Sequence, residues 1–356
     1  MGSFLSIIVI FGLFQKPKRL STSLNTSPFR LLPNEIILQI GAFLPPSAGA
    51  NFALTCLRIY CLSTNSCHFM NDDDKLESLE LLERDLPDHI VCQTCIKLHS
   101  IKKAHKYVQN RWMGNSPLPA CRVELKWRRV DFHLHKDFSL VLFQMAMKLN
   151  QQGRDISRIL GFLSSKSRRY LPDGYVEQYS SLARVVDNRL LLRDQRVRKV
   201  PTSQRDYLPR DVTFWICPHF WVSSQDKLDK LDRWGSQLEK PDPFGPEVCH
   251  SGPGLMRCLF CYTDFRIDFK SFGDSGNAVC VTTWKDLGSS RPLLNEKWQS
   301  HISNPIARDR VEFERGTICS AFECGDFRLF KFDKVLGHTD WIKLLNRNPY
   351  SWSPFL

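Results

Sequence analysis

Between Leu31 and Tyr60 the apolar positions recur at helical intervals. Ile36, Ile37, Ile40, Phe43 and Leu44 fall on one stripe. Pro33, just ahead of them, suits a first helical turn, where the backbone N–H groups have no internal partner. Pro45 and Pro46 end the helix, because the residue before a proline is driven out of the α region. Ala50, Ala53, Leu54, Leu57 and Cys61 then share a face, with Arg58 opposite. The pattern predicts a short helical hairpin with more apolar surface than its two helices can bury in each other, so the excess must meet the rest of the chain or a partner. Leu62 to Met70 is too polar to predict a third packed helix.

A further helix is predicted from Asn71-Asp72-Asp73-Asp74, since acidic groups favour the positive end of a helix. Leu76, Leu79, Leu82 and Leu86 form its stripe and Pro87 ends it. Phe138, Leu142, Met145 and Leu149 predict another helix, closed by Gly153. From Tyr179 to Val200 the alternation changes to that of strands, with Asp187-Asn188 as the turn. Val212 to Cys217 reads as a strand, Asp226 to Leu238 as an amphipathic helix, and Pro241 to Pro246 as a loop. Phe265, Ile267 and Phe269 alternate, as do Val279, Val281 and Thr283, and Trp284 to Gly288 is expected to close that hairpin. Glu312 to Thr317 and Phe327 to Phe332 add β-rich segments ahead of the aromatic tail Tyr350-Ser351-Trp352. The fold class implied is α+β: a helical hairpin, then a mixed helix and antiparallel-strand domain.

Composition narrows this picture. With 356 residues, 42% of them apolar and 12% aromatic, the chain can bury one large or two ordinary cores and is not a disordered protein. Its thirteen cysteines lack the density of a secreted disulfide scaffold, which points to a reducing compartment, cytosol or nucleus. There, closely spaced cysteines more often hold metal than pair with each other. Cys92-Gln93-Thr94-Cys95 is followed by His99, with Cys121 as a fourth ligand after a Pro-Leu-Pro turn. This is the donor set of a tetrahedral zinc ion. Cys217, His219, Cys258 and Cys261 make a second set, with Cys249 and His250 in reserve. Spacing leaves a rival open, in which Cys92 and Cys95 join Cys258 and Cys261 around one ion. Cys280, Cys319 and Cys324 lack such spacing and read as small buried residues.

Charge is uneven. From Lys97 to Arg210 there are 24 Lys and Arg against 9 Asp and Glu, a larger excess than the +12 of the whole chain. That field suits nucleic acid, an anionic membrane or an acidic protein. A solvated basic face is the simpler reading, because these residues lie on elements with one buried side. At the start of the chain, Phe4 to Phe14 is too short to span a bilayer. Met1-Gly2-Ser3-Phe4-Leu5-Ser6 fits the N-myristoylation pattern, with Lys16, Lys18 and Arg19 as a second signal for a weak membrane-surface contact. A poorly ordered tail over 1–28, ending in the polar linker Ser21 to Ser27, is the first expectation. No Gly-rich phosphate loop, nucleophile elbow or HExxH occurs, so a catalytic role is not expected.

Leu32-Pro33-x-Glu35-Ile36-Ile37, Ile40, Phe43-Leu44-Pro45 and Ala53-Leu54-Thr55-Cys56-x-Arg58-x-Tyr60 resemble the short F-box of filamentous fungi, with Tyr60 where many relatives carry a tryptophan. Leu81 to Pro87 leading into the Cys92 knuckle, Asn188 to Arg193, Cys217-Pro218-His219, Cys258-x-x-Cys261-x-Thr263-x-Phe265-Arg266-x-Asp268 and Trp284 to Gly288 are similar to a family of ascomycete F-box proteins with a cysteine-containing C-terminal region. The resemblance implies an F-box over 29–70, a substrate-binding region over 71–356, and docking on the Skp-type adaptor of a cullin–RING ubiquitin ligase. Leu32, Pro33, Ile36, Ile37, Ile40, Leu44 and Leu54 are the docking residues, and an unknown protein is the target. A zinc-stabilised nucleic-acid-binding protein using the basic 97–210 region is the alternative.

Overall fold

The computed structural model describes residue 29 and residues 31–63, 70–108, 121, 133–135, 138–170, 176–200, 213–223, 247–248, 254–271, 277–289, 295–302 and 310–325. The N-terminal tail, the helix expected at 226–238, the loop at 241–246, Cys249, His250, the strand expected at 327–332 and the aromatic tail lie outside them. The chain divides into two compact units, Met1–Pro87 and Asp88–Leu356.

The first unit is helical. Helix α1 (Asn34–Phe43) begins at Pro33, α2 (Pro46–Ala53) follows Pro45, and α3 (Leu57–Ser63) completes the hairpin. The second arm is therefore two helices rather than one. Leu54 ends α2 as its C-cap, and the Thr55 hydroxyl donates to Phe52 O at 2.7 Å. Arg58, expected on the polar face, ties the arms together. Its guanidinium donates to Leu32 O at 2.7 Å, Phe29 O at 3.0 Å and Asn34 Oδ1 at 2.7 Å. Helix α4 (Asp72–Asp85) starts with a capping box, in which Asn71 Oδ1 accepts from Asp74 N and Asp74 Oδ2 accepts from Asn71 N. It is joined to α2 by the side chains of Asn51 and Ser78. This helix belongs to the first unit, on the hairpin side of the division after Pro87, whereas the sequence placed the boundary after residue 70. Ile37, Ala53, Ile59 and Leu79 form the core.

The second unit is mixed α and antiparallel β. Strands β1 (His89–Cys92) and β2 (Lys97–Ser100) form a hairpin, followed by a 3-10 helix over Ile101–Tyr107. Helix α5 (Leu140–Gln151) is capped by Ser139, so Phe138 precedes it instead of opening it. The helix is buried on nearly every side. After α6 (Ser157–Leu163) come β3 (Ser165–Tyr170), β4 (Val176–Val186) and β5 (Arg189–Val200). Asp187 and Asn188, at φ +48° and +57°, make the predicted turn between β4 and β5. Then come β6 (Thr213–Cys217) paired with β7 (Phe220–Ser223), β8 (Glu247–Val248), β9 (Leu255–Arg257), β10 (Thr263–Ser271) and β11 (Asn277–Asp286). The main sheet has seven strands in the order β3-β4-β5-β11-β10-β9-β8, with every pairing antiparallel.

Leu190, Leu191 and Leu192 show why a continuous apolar run belongs in β5. Leu190 and Leu192 pack with α5, while Leu191 packs on the opposite face with Trp284 and with Ile318 and Phe322 of the helix at 317–323. Helix α7 (Glu296–Ile302) contributes Trp298 to the first of these cores, and α8 (Thr317–Glu323) covers the second. Two expectations are corrected here. Trp284 to Asp286 lie inside the central strand β11, fully buried, and do not close a hairpin. Arg310 to Gly316 pair in no strand, and Thr317 opens α8 because the Asp264 carboxylate accepts from Gly316 N, Ile318 N and Cys319 N, each at 3.1 Å.

Much of the arginine charge of β5 is paired internally. Arg193 binds Glu323 at 2.9 Å, Arg189 binds Asp286 at 2.9 Å and Arg198 binds Glu177 at 3.3 Å. Lys285 is buried, with its ammonium 3.0 Å from Asp194, which also accepts from Tyr179 at 2.7 Å.

Candidate metal centres and an exposed apolar face

Two clusters of three cysteines and one histidine form in the second unit, each with its donor atoms within 4.8 Å of one another. They are the two sets predicted from spacing. The rival set is overturned, since Cys92 and Cys95 belong to one cluster and Cys258 and Cys261 to the other.

In the first cluster, Cys92 ends β1 and Cys95 lies in the turn before β2. Ile96 closes that turn at φ +48°, a costly conformation for a β-branched residue. His99 Nε2 lies 3.2 Å from Cys95 Sγ and 3.7 Å from Cys121 Sγ. Its other nitrogen, Nδ1, is 2.7 Å from the Tyr107 hydroxyl. When Nε2 gives its lone pair to a metal, Nδ1 carries the proton and donates it to Tyr107, so the tyrosine sets tautomer and ring angle together. Sequence reasoning missed Tyr107. Three thiols in one pocket cannot all ionise without a cation. Hydrogen bonds from Cys121 and Cys95 pull Cys92 well below the ordinary thiol range, while Cys121 and Cys92 push Cys95 far up. Cys92 likewise holds Cys121 up, at about 11. A divalent ion removes that mutual repulsion.

The second cluster joins two hairpin turns. Cys217 ends β6, and His219 stands in the turn to β7. Cys258 and Cys261 flank the tight bend from β9 into β10, held by Cys258 N donating to Thr263 O at 2.9 Å and by Phe260 N donating to Cys258 Sγ at 3.4 Å. All three thiols are buried. Both ring nitrogens of His219 are buried without a hydrogen-bond partner. A polar group in that state costs free energy unless something not made of protein satisfies it, and beside three sulfurs a metal ion fits. Burial raises the Cys258 thiol, but the adjoining Cys217 and Cys261 thiols, and after them the nearby His219 ring, outweigh it and hold the group well below its ordinary range. Burial and the neighbouring sulfurs push Cys217 and Cys261 well up. Of the cysteines outside the two sets, Cys280 and Cys319 are buried as expected, whereas Cys324 is exposed at the end of α8.

The docking residues expected in the first unit divide by exposure. Ile36 is 40% exposed, Pro33 is exposed, and Leu32, Ile40, Leu44 and Leu54 are half-buried. Ile37 is 0% exposed and belongs to the hairpin core, so its side chain holds the fold together. Leu31 and Phe43, each 89% exposed, and Leu38, 47% exposed, extend the apolar surface beyond the expected set. Single exposed leucines are ordinary, but four large apolar side chains on and beside one ten-residue helix are not.

Compared with protein-family models, curated proteins and solved structures, the chain matches none. Fold and sites define a mixed α+β protein with two cysteine–histidine clusters that could hold metal ions. Among the described residues no helix is long and apolar enough to cross a membrane.

Proposed function

We propose that this chain is an F-box-type substrate receptor of a Skp–cullin–RING ubiquitin ligase. The observation that carries the reading is the exposed apolar surface of α1, where Ile36 and Phe43 share one side of the helix and Leu38 lies on the other. Leu31, Ile36, Leu38 and Phe43 stand exposed around a hairpin whose core is already filled by Ile37, Ala53 and Ile59. A surface of this kind is unfavourable in water and favours a helical partner such as the Skp-type adaptor. Ubiquitin transfer then takes place on other subunits. This chain contributes proximity, raising the effective concentration of a target lysine.

Zinc in both Cys3His clusters belongs to the same reading. With four protein ligands apiece the coordination shell is closed, and such ions stabilise folds without taking part in catalysis. Cys92, Cys95, His99 and Cys121 would hold one ion, and Cys217, His219, Cys258 and Cys261 the other.

The test is co-purification with a Skp-type adaptor, using the parent chain and an Ile36→Asp, Phe43→Asp variant. Both positions are exposed, so the variant is expected to keep its fold, read by circular dichroism, and to lose the adaptor. Stoichiometric adaptor with both proteins, or with neither, removes the proposal.

A further inference from the structure

We infer that the face formed by Lys97 and the 3-10 helix Ile101–Tyr107 is a docking surface for an acidic polypeptide segment, which is the substrate class of the receptor proposed above and rests on that reading. The segment is two short 3-10 turns that meet at a kink at Lys103. Ile101 and Ala104 are buried and Tyr107 is half-buried, which leaves Lys102, Lys103, His105 and Lys106 all facing solvent. Lys97 pairs with Cys92 in the hairpin register and is also exposed. No acidic residue occurs between Lys97 and Val108.

Asp88 is shared by two of the surrounding cations, Lys102 at 2.8 Å and Arg154 at 2.7 Å. Hydrogen bonds from that pair hold its carboxyl at about 2. That pairing occupies Lys102, and the remaining positive charge of the face is carried by Lys97, Lys103 and Lys106.

The face is also rigidly mounted. Tyr107, which ends the 3-10 helix, is bonded through His99 to the first metal cluster, and Ile101 N donates to Asp88 O at 2.8 Å. Rigid presentation lowers the entropy lost on binding.

The chemistry favours carboxylates over nucleic acid. The cations on the hairpin and helix are lysines, which act as point charges, and among the described residues of this face no tyrosine, tryptophan or phenylalanine ring is exposed for bases to stack on. Arg189, Arg193 and Arg198 of β5, which could otherwise present phosphate-binding forks, are paired internally.

The test titrates the zinc-loaded full chain against a fluorescein-labelled peptide of about ten alternating glutamate and glycine residues, and against an oligodeoxynucleotide of equal charge, by anisotropy at low salt. The peptide is expected to bind. Its affinity should fall about tenfold in Lys97→Glu, Lys103→Glu, Lys106→Glu, and by less in the corresponding Gln variant, with zinc content and thermal midpoint unchanged. Equal affinity in the parent and both variants, or no binding by the parent, overturns the inference. A preference for the oligonucleotide of more than about tenfold also overturns it and assigns the face to nucleic acid. Adaptor co-purification is read separately. Adaptor retained without peptide binding leaves the receptor reading standing, and peptide binding without adaptor removes only the receptor.

Discussion

Tyr107 is half-buried with its hydroxyl on His99 Nδ1, and burial followed by the nearby Cys121, Cys95 and Cys92 sulfurs pushes its own ionisation well above the ordinary value. It therefore acts as a neutral hydrogen-bond partner throughout the working pH range. Such partners of metal-bound histidines commonly change affinity by about 10- to 100-fold. Tyr107→Phe is accordingly expected to weaken zinc binding at one of the two clusters by about that factor and leave the other unchanged, measured by competition with a chromogenic chelator. Equal affinity at both clusters in parent and variant would refute it. His99 was legible because CxxC-x3-H is a spacing argument. Tyr107 was not, because its approach depends on a 3-10 turn that no hydrophobic periodicity signals. The same limit applies to Ile36 and Ile37. Both lie on the predicted stripe, and only the packing of α1 on α3 separates the exposed one from the buried one.

At the scale of elements, β10 and α8 are coupled by one carboxylate. Burial raises Asp264 from the ordinary 3.8 to about 6, even though three backbone N–H groups of the α8 start favour its charged form. The folded protein thus holds this proton more tightly than the unfolded chain does. The stability it contributes is fully present at low pH and is lost as pH rises through about 6. Between about pH 5 and pH 7 the parent is expected to lose about 1 kcal/mol relative to Asp264→Asn, read from denaturant midpoints at each pH. Parallel curves for the two proteins would exclude this coupling. Asn71 and Asp74 form a cap readable from sequence, because all its members lie within one turn. The Asp264 cap spans more than fifty residues, and the sequence reading accordingly took Glu312 to Thr317 for strand. Elements whose pattern is internal, such as α5 and the β4–β5 turn, were legible. The 3-10 helix, β1–β2 and α7 carry little periodic signal of their own.

For the second unit as a whole, the Cys217, His219, Cys258 and Cys261 cluster bridges the β6–β7 hairpin and the bend that leads from β9 into the central strands. Beside it Phe214 and Ile216 of β6 pack with Phe265, Val279 and Val281, so metal binding and core burial support the same hairpin. Replacing Cys258 and Cys261 by Ser is expected to remove one of two zinc equivalents, measured by elemental analysis, and to lower the thermal midpoint, because the binding free energy of a structural ion is folding free energy. Unchanged zinc content would sink that expectation.

Read along the chain alone, the hairpin, the α+β class, the acidic helix start and the individual cysteine–histidine knuckles were within reach, since each rests on local spacing or composition. Whether Cys92 and Cys95 are completed by Cys121 or by distant thiols was decided only in three dimensions, as were the burial of Ile37, the internal pairing of Arg189, Arg193 and Arg198, and the exposure of Lys97, Lys102, Lys103 and Lys106. The physical reason is common to all four. Periodicity says which side of an element is apolar, whereas the partner that covers that side, or the counter-charge that meets it, comes from residues tens of positions away.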